Sequence, residues 1–136
     1  MTLWLSGMRI TSDRLNNDDP DEETSAGLVA GSGFSTLSFQ GRRYRGVVYI
    51  NALLTKNSGT IEAVAGSGNL SPEPTIGTLP DGWRPPESLG VSWDNGTVEG
   101  VLLVNTNGTL VLRTITYNQA VANATNIRFN TSWIKA

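Results

Sequence analysis

LPDGWRPPESLGVSWDNGTVEGVLLVNTNGTLVLRT, residues 79–114, decides how the rest of the chain is read. Pro80 opens a turn, Gly82 can supply a positive φ, and Pro85-Pro86 forces an extended connection that cannot donate to a sheet. Three apolar runs follow, at residues 89–93, 98–104 and 110–115. Asp94-Asn95-Gly96 separates the first two, and Asn105-Thr106-Asn107-Gly108 separates the last two. Asn-Gly between apolar β-runs is the strongest short-range hairpin signal. The stretch predicts a three-stranded meander behind a proline elbow.

Outward from the meander, residues 126–134 place Ile127, Phe129, Thr131 and Trp133 on one face and Arg128, Asn130 and Ser132 on the other. So regular a closing strand is expected to lie centrally and seal the core. Before the elbow, residues 42–54 read as the longest strand, entered from a turn at Gln40-Gly41. Tyr44, Gly46, Val48, Ile50 and Ala52 alternate there with Arg43, Arg45, Val47, Tyr49 and Asn51. Val47 and Tyr49 make the second face partly apolar, which predicts cover on both sides, in a sandwich or against a neighbouring subunit. Shorter strands are expected at residues 28–30, 34–39 and 60–65, with glycine-rich loops at residues 31–33 and 66–69. About eight short strands with frequent turns indicate an all-β, antiparallel β-sandwich.

Composition agrees and removes whole classes of chemistry. The 136 residues suffice for one domain with a single core. Ten basic and twelve acidic side chains leave a formal charge of −2, with no basic footprint for nucleic acid and no polybasic membrane patch. Cysteine and histidine are both absent, so disulfides, thiolate or imidazole metal ligands and a Ser-His-Asp triad are excluded. No apolar run approaches the roughly 20 residues that span a bilayer. Residues 1–10 lack the charged leader and continuous apolar stretch of a secretory signal. No cofactor and no metal is expected.

Residues 1–25 read as an attachment arm and acidic linker, ahead of a β-head at residues 26–136. Trp4, Met8, Ile10 and Leu15 are the arm's apolar residues, which either pack on their own domain or, with Trp4 and Met8 as anchors, dock the arm on a partner surface. Thr11 or Ser12 can cap a short helix there, with Asp13 favourable in its first turn. The run NNDDPDEETS, residues 16–25, reads as solvated linker, and it lacks the sharp-turn glycine of a calcium loop.

The order Leu79-Pro80-Asp81-Gly82-Trp83-Arg84-Pro85-Pro86, then a short strand and an Asn-Gly hairpin backed by Leu110-Val111-Leu112-Arg113, resembles the C-terminal domain of bacteriophage tail-fibre and minor tail proteins. Residues 7–16, GMRITSDRLN, resemble a segment that opens many small tail proteins. What the resemblance implies is a homotrimeric jelly roll of the C1q/TNF type, carried on a virion assembled in the bacterial cytoplasm. Its partners would be sister subunits, other tail proteins and a host-surface saccharide or protein. A purely structural decoration subunit is the alternative.

Glu62, Glu73, Asp81, Glu87, Asp94 and Glu99 are the acids from which a glycan hydrolase would need its pair. Most flank turns, where acids are commonplace, and the expectation is that the protein is not an enzyme. Trp133 reads as core, and Trp83 as structural with Arg84 folded over its ring. Trp93 lies beside a turn, so a saccharide site is placed at Trp93, Asp94 and Asn95, then at Tyr117, Asn118 and Gln119. Indoles stack on sugar rings and amides bind hydroxyls, and loops carry function on such scaffolds.

Overall fold

A computed structural model describes residues 22–135, which contain strands and no helix. In chain order the strands are β1 (Glu22–Thr24), β2 (Val29–Ala30), β3 (Phe34–Tyr44), β4 (Val47–Lys56), β5 (Ile61–Glu62), β6 (Thr75–Thr78), β7 (Leu89–Asp94), β8 (Glu99–Val104), β9 (Thr109–Leu112), β10 (Ala120–Val121) and β11 (Asn126–Ile134). Nine of them form one antiparallel sheet in the order β1-β3-β4-β11-β7-β8-β9-β6-β2, and β10 pairs with β5 separately. The sheet curls until β2, at one edge, returns beside β3 near the other. Its inner face thereby encloses one core, as in a β-sandwich.

Period-two alternation fills that core. Val48, Ile50, Ala52 and Leu54 of β4 meet Ile127, Phe129 and Trp133 of β11, and Val91, Trp93, Leu102, Val104, Leu110 and Leu112 continue the face across β7, β8 and β9. Trp93 is only 1% exposed, and burying an indole contributes about 4–6 kcal/mol before conformational entropy is set against it. β11 runs between β4 and β7, the central place expected for the closing strand.

The meander forms where the turn chemistry puts it, as β7, β8 and β9. Asn95 Oδ1 accepts from the backbone N–H of Thr97 at 2.9 Å and of Val98 at 2.8 Å, closing the first turn. Asn107 Oδ1 accepts from the N–H of Thr109 at 3.1 Å in the second. The proline elbow leans on that second turn, with the Leu79 N–H donating to Gly108 O at 2.8 Å and Arg84 Nε to Leu79 O at 3.1 Å. Trp83 packs inward against Gly41 of β3, where a Cβ would lie 2.7 Å from the indole Cε3.

Four expectations are corrected. Residues 42–54 are not one strand: β3 and β4 are a hairpin closed by Arg45-Gly46, both with positive φ (48° and 77°). Two left-handed residues match the twist of the flanking strands, which is why so short a loop works. The turn also reverses the alternation, so Tyr44 faces out while Val48 faces in. Gln40-Gly41 is accordingly inside β3 rather than at a turn. The end of the acidic run is not solvated linker, because Glu22–Thr24 pairs with β3 as an edge strand, held by Glu22–Arg43 (2.9 Å) and Glu23–Arg42 (3.6 Å) ion pairs. Finally, Arg43 rather than Arg84 covers the Trp83 ring, since Arg84 is turned to the Leu79 carbonyl. The arm residues Trp4, Met8, Ile10 and Leu15 and the capped helix lie outside the described residues. Among the described residues no helix is long and apolar enough to cross a membrane.

Candidate functional site

The loop residues expected to bind a saccharide fall into two neighbouring turns. Asp94 ends β7, and its Oδ1 accepts from Arg128 Nη2 at 2.8 Å and from the Gly96 N–H at 3.0 Å. The Arg128 hydrogen bond holds the Asp94 carboxyl below its ordinary value of 3.8 against an opposing desolvation, with help from the Arg128 charge and the Gly96 N–H. That direction keeps it an anion and is the reverse of what a general acid requires. Asn95 has its side-chain oxygen committed to the turn. Trp93 corrects the stacking expectation: its ring is enclosed in the core and its Nε1 donates to Thr114 O at 3.1 Å, so no ring face is offered to a ligand.

Tyr117 is 62% exposed beside Asn118, which takes a positive φ of 54° and accepts from the Gly66 N–H at 3.0 Å. Asn118 thus braces the 66–69 loop, while the Gln119 carbonyl accepts from the Ala63 N–H at 3.1 Å. The two expected turns approach each other through Thr116, which lines an open depression of about 320 Å³ with Asp94, Gly96 and Glu99. Tyr117 itself does not line it.

A second surface includes Val47 and Tyr49, whose face the sequence marks as partly apolar, but its polar residues were not expected to form a site. The outer faces of β3, β4 and β11 present side chains in cross-strand rows. Tyr44, Val47 and Ile134 form the first row, with Val47 opposite both others, and are 50%, 45% and 76% exposed. Arg42, Tyr49 and Ser132 form the next, and Gln40, Asn51 and Asn130 the third. Asn51 stands between two open depressions. One of about 490 Å³ is lined by Glu23, Thr24, Ser25, Ser38 and Gln40, and one of about 560 Å³ by Ser92, Asp94, Arg128 and Asn130. Alternation in the sequence grouped Val47, Tyr49 and Asn51 on one face and Asn130 and Ser132 on another, but it put Gln40 in a turn and Tyr44 on the face of Val48. Their assembly into rows depends on register, which the misplaced β3–β4 turn concealed.

Glu73 is paired with Arg113 at 3.1 Å, Asp81 caps the Gly82 N–H at 3.1 Å, and among the described residues no group of acids gathers as a metal site would. The outer sheet face carries a polar and an apolar row side by side. No protein-family model matches the sequence, and no curated protein matches it at a significant level of similarity.

Proposed function

We propose that the chain is a bacteriophage virion structural protein of the tail fibre or tail tip, whose jelly-roll head assembles as a homotrimer and presents itself to a host-surface saccharide. The tail-protein resemblance of the proline elbow motivates this reading. The observation that carries it is the row Tyr44–Val47–Ile134, three exposed apolar side chains side by side on one sheet face. Such a row is a liability on an isolated β-domain and an asset against a sister subunit. Three copies would convert weak single-site saccharide binding into avidity, so no deep pocket per subunit is needed.

The reading is tested by light-scattering mass over a range of concentrations, on the full chain and on Ile134→Asp. A mass three times that of the 14.6 kDa chain, falling to the single-chain mass in a variant that still unfolds cooperatively, is expected. A single-chain mass at every concentration would remove the trimer. The alternative of a structural subunit without a receptor has one observation in its favour, the commitment of Asp94, Asn95 and Asn118 to their own turns. An assembled protein that binds neither cells nor saccharides would favour it.

A further inference from the structure

We infer that the outward row Gln40–Asn51–Asn130, with Tyr49 at its border, is a binding platform for a neutral glycan chain lying across the strands. This rests on the saccharide-binding reading above and moves its centre from the loops that the sequence suggested to the outer sheet face, with Asp94 common to both.

Register comes first. Gln40 lies directly opposite Asn51 on one side, and Asn130 directly opposite Asn51 on the other. Direct cross-strand neighbours have Cβ atoms about 5 Å apart, so the three amides form one continuous edge of donors and acceptors. None of the three makes a side-chain hydrogen bond to another described residue. Their full capacity faces outward.

Residue choice comes second. Asparagine is depleted in strands, where β-branched and aromatic residues are favoured on a scale spanning about 1 kcal/mol. Asn51 and Asn130 sit on the two adjoining central strands, and each would be better served for stability by threonine. A local rule broken at consecutive positions of one row points to function rather than to folding.

Shape and charge then narrow the ligand. The two depressions meet at Asn51, so the polar track runs from β1 to β7 across five adjacent strands. At a strand spacing of about 4.8 Å that is roughly 19 Å, long enough for several sugar rings. Both ends of the track carry closed ion pairs, Glu23 with Arg42 and Asp94 with Arg128, and the amides between them are uncharged. A polyanion would meet the carboxylates of Glu23 and Asp94, and a polycation the guanidiniums. A neutral polyhydroxylated chain meets hydrogen-bonding partners throughout. Tyr49 precedes Asn51 by two residues on the same outward face of β4 and is 40% exposed, which gives a ring for sugar C–H groups at the edge of the row. The Tyr44–Val47–Ile134 row lies on the far side of Tyr49, so a glycan on the amides stays clear of a subunit contact there.

The test titrates the full chain with neutral gluco-, manno- and galacto-oligosaccharides, with sulfated dextran as the anionic comparison. It reads calorimetric affinity and the side-chain amide resonances of Gln40, Asn51 and Asn130. Binding of a neutral oligosaccharide that shifts those resonances is expected. Asn51→Thr and Asn130→Thr are expected to weaken it by about tenfold each, as loss of a well-made hydrogen bond does, while raising the melting temperature. Tyr117→Ala leaves it unchanged. Neutral-glycan binding that survives both threonine variants, or that is lost in Tyr117→Ala, overturns this site and leaves the saccharide reading standing. Binding to sulfated dextran alone overturns the neutral class. No binding to any probe overturns the saccharide reading and the site together.

Discussion

The guanidinium carbon of Arg43 sits 4.2 Å from the centre of the Trp83 ring, joining β3 to the proline elbow. The same side chain donates to the Gly82 carbonyl and, at 2.9 Å, to Glu22 Oε2 on β1. One arginine therefore fastens the edge strand and the elbow to the same point of the sheet. Its Nε is buried without a partner, so the position is held by the other contacts rather than by full hydrogen bonding. Arg43→Ala is expected to lower stability by about 2–3 kcal/mol, from a partly buried cation–π contact and charged hydrogen bonds. Arg43→Lys should fall between, because an ammonium cannot cover the ring and reach two oxygens at once. Urea denaturation of the three proteins measures this, and an unchanged midpoint in Arg43→Ala would refute the linkage.

Arg45 is the first residue of the β3–β4 turn and carries a left-handed φ of 48°. A residue other than glycine or asparagine is strained there by about 1 kcal/mol. Arg45 recovers part of that by lying 5.2 Å from the Tyr44 ring centre, an exposed contact. Arg45→Asn creates the Asn-Gly pair preferred for this turn and should stabilise the protein by about 0.5 kcal/mol. A small upward shift of the urea midpoint at unchanged m-value is the expected result, and a downward shift would mean that the ring contact outweighs the backbone.

The contrast between that turn and the meander shows what was legible in the sequence. Asn95 and Asn107 announce their turns because their own side chains close them, within three residues of chain. Arg45-Gly46 carries no such signal, and a uniform alternation runs straight through it. Residues 42–54 consequently read as one strand, although the central position of β11 and the buried faces of β4 and β11 were readable from period two alone. The candidate site suffered more than the fold. Trp93 looked accessible because it adjoins a turn, yet the inward phase of β7 decides its environment. The amide row is composed of residues from β3, β4 and β11, separated by up to 90 positions in the chain, and only register brings them together.

Asp94 makes stability depend on acid. Its folded pKa lies below the ordinary 3.8, so the unfolded chain binds a proton first as pH falls. The contribution is present above about pH 3.8 and is lost as pH drops through the lower folded value. The pair with Arg128 is exposed, so the effect is small and shrinks further in salt. Asp94→Asn should therefore reduce the difference in urea midpoint between pH 7 and pH 3 while moving the pH 3 value little. A variant whose loss between the two pH values equals that of the parent would show that other carboxylates carry the acid sensitivity.

Trp93 separates a core role from a ligand role. Trp93→Phe keeps an aromatic ring in the core but removes the Nε1 donor, leaving the Thr114 carbonyl without that bond. An unmade buried hydrogen bond costs about 1–3 kcal/mol, and the smaller ring adds a cavity term. The variant should lose about 2–4 kcal/mol in denaturant, the sum of a missing donor and incomplete repacking around a smaller ring. Any neutral-glycan affinity should stay within a factor of about two, which is under 0.5 kcal/mol. Both readouts matter, because a sugar-stacking tryptophan would give the opposite pattern of modest stability loss and abolished binding. With the indole 1% exposed and its N–H already committed to the backbone, the core pattern is the one the packing dictates.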